Sequence, residues 1–308
     1  LVFAVVMWAG VNLNATETRL LGLNVDNWMV EDDNNIWFNP ARIADYSNRG
    51  WLELGTPPAP NAATQWAGVS YAGKNSNSTL GLFINRTYTG ETPIIGTNIT
   101  PGSLTVVPNF ITPGITNAPA GLGNLTTLAP ENKIDFFWAS VSPGDALYGL
   151  LVNYADRMDS NKHSYSADPK TNGDGTAENK RSSQEFNFTL GGKFTRLANS
   201  DLVIQFGLPL VSNKYTETRY VFQNRDATDY RELSTNGAYN FTILFRPEKV
   251  VNPSNRLFTV FQYRLSQIPS LYSEQRDTNA DGILNANTEQ TRNQWTNNLL
   301  VVMAVNSN

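Results

Sequence analysis

Beyond Gly50 the chain alternates apolar and polar residues in steps of two. In EFNFTLGG, Phe186, Phe188 and Leu190 fall on one side of the pattern, and Asn187, Thr189 and Gly191 on the other. The same alternation sets Tyr239, Phe241, Ile243 and Phe245 against Asn240, Thr242, Leu244 and Arg246. It also sets Leu257, Phe261, Tyr263 and Leu265 against Gln262 and Arg264. Period two is the strand period, because successive side chains leave opposite faces of a pleated chain. It predicts ten strands, near 51–56, 64–74, 78–90, 132–142, 145–158, 182–196, 200–215, 230–247, 255–270 and 291–305. Several exceed the five or six residues usual in globular strands and match the ~9–11 that a tilted strand needs to cross a bilayer.

The joins alternate in length. SPGDA (142–146) and RLANSD (196–201) read as tight turns, whereas 91–131, 159–181 and 271–290 read as long loops. Short turns on one rim and long loops on the other are the habit of outer-membrane barrels. The helical signal is confined to NPARIADYSN (39–48), where Asn39 can cap and Pro40 occupies the first helical position. No repeat of fixed period is present, which argues against solenoids and propellers.

Alternation alone suits a soluble sandwich as well as a membrane barrel, so the character of the two faces decides. The polar face is mostly Asn, Gln, Thr, Ser and Gly with few charges, as in a semi-enclosed interior, whereas a soluble sandwich turns a charged face to water. The apolar face carries large rings near strand ends: Trp66, Tyr71, Tyr88, Trp138, Tyr148, Tyr154, Tyr239, Tyr263 and Trp295. Amphipathic rings settle at headgroup depth, so such girdles are expected where a barrel meets the two interfaces. The fold expected is all-β: an antiparallel transmembrane β-barrel of ten to fourteen strands with a short N-terminal helical plug segment. A secreted soluble β-sandwich that binds a ligand is the alternative.

Composition narrows the function. Charged residues are 16% of the chain and hydrophobic ones 40%, too apolar and aromatic for a disordered polymer. A net charge of −4 argues against nucleic acid as a partner. With no cysteine there is neither disulfide, thiolate metal site nor cysteine nucleophile. The only histidine, His163, lies in a polar stretch, so a Ser-His-Asp triad or a zinc site lacks its parts, and no enzyme activity is expected. LVFAVVMWAGVNLNA (1–15) reads as the apolar core and cleavage zone of a signal peptide, with a buried first strand or helix as the alternative. The stretch 92–130 carries no charged side chain and is rich in Pro, Gly and Thr. It suits a loop that folds into a lumen or docks on a second copy or a partner protein, with a plain, floppy glycine-proline loop as the alternative. In DTNADGILNANTEQ (277–290), Asp277, Asn279 and Asp281 hold positions one, three and five of an EF-hand loop, with Gly282 at the turn. Glu289 comes one residue late. Calcium in an extracellular loop is the one cofactor this pattern suggests, against a plain Asn/Asp-Gly turn.

NVDNWMVEDDNNIWFNPARIADYSN (24–48) resembles the N-terminal signature of FadL-like outer-membrane proteins and their PorV-type relatives, in which an acidic pair precedes an aromatic-rich stretch ending in Asn-Pro-Ala. Here these residues are Asp32 and Asp33, then Phe38, Asn39, Pro40 and Ala41. The resemblance implies a segment folded inside the barrel as a plug, in a protein that passes small, hydrophobic solutes through the bacterial outer membrane. It divides the chain into a leader remnant at 1–15, a plug segment at 16–50 and a barrel at 51–308. Trp37 and Phe38 would pack on the inner wall, Asn39 and Pro40 would turn the chain, and the two acids would pair with luminal cations. Arg86, Arg157, Arg246 and Arg264 are the candidates for those cations. Outer-membrane lipid and a small solute are the partners implied. A structural barrel that docks a partner protein is the other reading.

Overall fold

The computed structural model describes residues 12–14, 33, 35–53, 66–74, 76–84, 132–144, 146–165, 175–197, 199–221, 225–235, 237–252, 255–276 and 286–307. Thirteen strand segments make one sheet: β1 Asn12–Asn14, β2 Arg49–Glu53, β3 Trp66–Ala72, β4 Ser78–Ile84, β5 Asn132–Ser142, β6 Ala146–Tyr165, β7 Gly175–Phe194, β8 Ser200–Val221, β9 Arg225–Thr235, β10 Tyr239–Arg246, β11 Glu248–Asn252, β12 Asn255–Arg276 and β13 Ala286–Ser307. Segments β9, β10 and β11 lie end to end, because β8 pairs with the first two and β12 with all three. They form one interrupted strand, so the sheet has eleven strands. Ten run antiparallel in sequence order, and β1 adds in parallel beside β2. The ten strands expected from the alternation are thus present. The residues read as the end of a leader, Asn12–Asn14, pair as a strand. The sheet is open: among the described residues no pairing joins β13 to β2.

The strands outrun their predicted ends. The long loops expected at 159–181 and 271–290 are in large part strand: β6 runs to Tyr165, β7 starts at Gly175, β12 runs to Arg276 and β13 starts at Ala286. Their ladders continue in unbroken register, Asp159 opposite Arg181 and Ser273 opposite Glu289. Both faces of these extensions carry polar residues, so no alternation signals them, and backbone hydrogen bonds hold them instead. The short joins behave as predicted. Gly144 takes φ +99°, a left-handed turn conformation that a side chain would oppose, and Asn199 takes φ 44°.

The two faces of the sheet differ as the alternation implies. One register row crosses nine strands as Tyr71, Leu80, Trp138, Leu150, Leu190, Ile204, Ile243, Tyr263 and Leu299. Every member is apolar or aromatic, and Tyr71 and Leu299 are 65% and 74% exposed. Phe186, Phe188, Phe206 and Phe261 share this face and are exposed too. No second sheet covers it among the described residues. On the opposite, inner face the side chains are buried, and many are polar: Asp135, Asn153, Asn187, Gln205, Asn240 and Thr242 are at most 1% exposed.

Against that inner face lies the segment 33–46, a short helix at Asn35–Phe38 followed by a 3-10 helix at Pro40–Tyr46. Asn39 caps the second helix as its sequence predicts, its side-chain oxygen accepting from the Ala41 amide at 3.0 Å. Trp37 touches Trp66 on β3, while the neighbouring Phe38 touches Arg246 on β10. On a flat sheet those strands would stand six spacings, about 29 Å, apart. The sheet therefore curls around the segment.

Candidate functional site

The inner face has two halves. Over β2–β5 it is aromatic. Trp51, Trp66, Phe83 and Phe137 form a buried cluster with Ile36 and Ile43 of the segment, and Trp37 inserts between them. The Trp37 ring stands 4.8 Å from Phe83 and 5.1 Å from Phe137, both edge-on. Such pairs add about 0.5–1.5 kcal/mol each to the burial of the rings themselves. Trp66 thus belongs to the interior and not to an outward girdle. Its strand, WAGVSYA, is short and lightly patterned, so its phase could not be read from residue type. Tyr71, Trp138 and Tyr148 do face outward and are exposed, and Tyr154, Tyr239 and Tyr263 share that face half-buried. Tyr88 lies outside the described residues.

Three glycines let the segment approach the wall. A side chain begun at Gly149 would come within 2.3 Å of the Ala41 amide nitrogen, and one at Gly191 within 2.0 Å of the Asn39 side-chain oxygen. At Gly81 it would meet the Ile43 methyl at 2.3 Å. These glycines sit on β4, β6 and β7 beneath Asn39–Ile43, where backbone must meet backbone.

Beyond the glycines the segment is bound by charge. Asp201, near the start of β8, is fully buried and collects donors from two directions. Arg42 Nε donates to Asp201 Oδ1 at 3.0 Å and Arg42 Nη2 to Oδ2 at 2.9 Å. Asn39 Nδ2 donates to Oδ1 at 2.7 Å and also to the Gly192 carbonyl at 3.0 Å. From β10, Arg246 Nε donates to Oδ2 at 2.8 Å, and Nη2 donates to the same oxygen. The Arg246 guanidinium lies 4.9 Å from the Phe38 ring and 5.2 Å from Phe258, so its flat faces are covered by rings. A carboxylate shared by two guanidiniums is tolerable in a buried site because every charge has a hydrogen-bonded counter-charge.

The expected polarity is therefore reversed at this contact. The segment supplies the cation, Arg42, and the wall supplies the acid, Asp201. Asp33 accepts from the Trp51 indole at 3.2 Å and no described cation is shown on it, while Asp32 lies outside the described residues. Trp37, Phe38, Asn39 and Pro40 do meet the inner wall. Of the four candidate cations, Arg246 joins this network and Arg264 lies buried farther along the wall. Arg157 is half-buried on β6, and Arg86 lies outside the described residues.

Over β5–β12 the inner face is an amide ladder. Asn153 Nδ2 donates to Asp135 Oδ1 at 2.7 Å, and Asn187 Nδ2 donates to Asn153 Oδ1 and Glu185 Oε1, both at 3.0 Å. Lys133, also buried, pairs with Asp135 at 3.2 Å and places its ammonium 5.5 Å from the Trp37 ring. The ladder then runs out of protein partners. Asn187 Oδ1, Gln205 Oε1, both amide atoms of Asn240, Thr242 Oγ1 and Arg264 Nε are buried without one among the described residues. Farther along, in the extensions, Lys214 bridges to Glu232 at 3.2 Å, and Tyr230 donates to the same carboxylate. Burial first, then Glu232, pushes the Tyr230 phenol up to about 12, so it stays a donor at neutral pH.

Sequence reasoning missed Arg42, Lys133, Asp135, Asn153, Glu185, Asn187, Asp201, Gln205, Asn240 and Thr242 as site residues. For the amides the signal was present, since they occupy the polar phase of well-patterned strands. Asp277, Asn279 and Asp281 lie outside the described residues, and among the described residues no acid or histidine cluster is arranged to hold a metal. No helix among the described residues is long and apolar enough to cross a membrane, which leaves strands untouched by that criterion. Compared with protein-family models, with curated proteins and with solved structures, the chain matches none of them.

Proposed function

We propose that this chain forms the wall of a bacterial outer-membrane β-barrel that passes small solutes, with the segment 33–46 as its plug. The reading rests on one observation above others: the outward row from Tyr71 to Leu299 is apolar and exposed or half-buried, while the inward positions of the same strands are buried and, from β5 onward, in large part polar. Such an arrangement is the inverse of a soluble sheet and suits strands with lipid outside and an enclosed polar space inside. On β8 the outward apolar run from Leu202 to Leu210 covers eight steps, about 26 Å along the strand. That length suits a tilted crossing. The extensions beyond it would then project from the membrane on the side of the longer joins. The resemblance of residues 24–48 to the FadL-like signature supports the same reading. A soluble sandwich would require Phe186 and Phe261 to be covered by a second layer, yet they are exposed. Passive passage needs no catalytic group.

Two measurements test the proposal. The folded chain in detergent should migrate differently before and after boiling, as closed barrels do, and liposomes containing it should leak small solutes. A chain that stays monomeric and soluble without detergent, or detergent-folded protein that leaves liposomes tight even when residues 33–46 are deleted, would overturn it.

A further inference from the structure

Six buried polar atoms on four neighbouring inner strands lack a hydrogen-bond partner among the described residues, and they lie in adjacent register rows. Asn187, Gly207 and Asn240 stand side by side in one register row. Gly207 has no side chain, and both carboxamides lean over it: a carbon begun there would lie 2.3 Å from Asn187 Oδ1, 2.5 Å from Asn240 Oδ1 and 2.6 Å from Asn240 Nδ2. The next row holds Gln205, Thr242 and Arg264, again side by side. Glu185 lies on the far side of the Gly207 row, opposite Pro209. Arg264 and Glu185 therefore stand on opposite sides of the Gly207 row. The buried surface therefore presents a guanidinium, the Glu185 carboxyl group and three carbonyl oxygens that have no donor among the described residues.

Buried polar groups in native proteins are satisfied by protein, water or ligand. Arg264, 7% exposed, offers the carboxylate of a guest a buried positive charge. The unfilled acceptors call for N–H or O–H donors, and Arg264 Nε and Asn240 Nδ2 call for an oxygen acceptor. We propose that this stretch of the inner wall is a binding site for small zwitterions of the amino-acid class, the carboxylate on Arg264 and the ammonium among the carbonyls of Asn187, Gln205 and Asn240. The inference rests on the channel reading in that it names the solute of the same enclosed face. It replaces the hydrophobic cargo that the family resemblance implies with a polar one.

Calorimetric titration of the detergent-folded full chain with glycine tests it. Glycine is expected to bind saturably, and Arg264→Gln to weaken that binding at least about tenfold. Glycine betaine, with the same charges but no N–H donor, is expected to bind as weakly as the variant does. Should Arg264→Gln not fold, Gln205→Leu reads the ammonium pole instead. Absence of saturable glycine binding, equal binding by wild type and variants, or equal binding of glycerol overturns the proposal. Solute flux without glycine binding overturns this inference and leaves the channel standing. Glycine binding without flux, even when residues 33–46 are deleted, supports the site and removes the channel.

Discussion

One register row crosses both halves of the inner wall, and the same structural position changes character along it. It reads Trp51, Gly68, Phe83, then Asp135, Asn153, Asn187, Gly207, Asn240 and Ser266. On the first three strands the wall is filled by rings that close around Trp37. From β5 onward it is lined by amides and paired charges. The segment 33–46 touches both halves, by apolar packing on one side and by Arg42 and Asn39 on the other. In the proposed channel the difference would separate anchoring from passage. Among the described residues the aromatic half is filled by rings packed on the segment, whereas the amide half carries buried polar atoms without a hydrogen-bond partner.

Breaking the polar anchor should cost most. Asp201→Leu leaves Arg42 and Arg246 buried without their shared carboxylate, and a loss of roughly 3–5 kcal/mol is expected in denaturant unfolding of the folded protein. An unchanged midpoint would mean that charge does not hold the segment. Next comes Phe83→Ala, which empties the centre of the ring cluster and should cost about 3 kcal/mol, with Trp37 becoming accessible to a fluorescence quencher. If Trp37 stays shielded, the aromatic half is not its anchor. Asn39→Ala removes both the helix cap and one donor to Asp201, so about 1–2 kcal/mol is expected by the same unfolding measurement. Its effect should shrink in the Asp201→Leu background, a coupling that a double-mutant cycle reads directly. Smallest is Lys180→Gln in the strand extension, where the pair with Glu178 is 63% and 36% exposed. A change under about 1 kcal/mol is expected, and a larger one would show that the extensions stabilise the wall beyond their backbone ladders.

What could be read from the chain alone was whatever depends on near neighbours. Phe186, Phe188 and Leu190 alternate with Asn187, Thr189 and Gly191 because a strand turns successive residues to opposite faces, so face and strand were legible together. The same holds for Asn39 as a cap, since its bond closes on the amide of Ala41, two residues on. The tertiary structure alone decided what lies far apart in sequence. Asp201 meets Arg42 across 159 positions and Arg246 across 45, and nothing local marks it as their common acceptor. Tertiary contact also placed Trp66 inside, in a strand too short to fix its phase, and extended strands through polar stretches held by pairing instead of burial. It made Gly81, Gly149 and Gly191 matter, because the need for a missing side chain arises only where another backbone arrives. Local periodicity encodes direction, and long-range contact assigns each direction its partner.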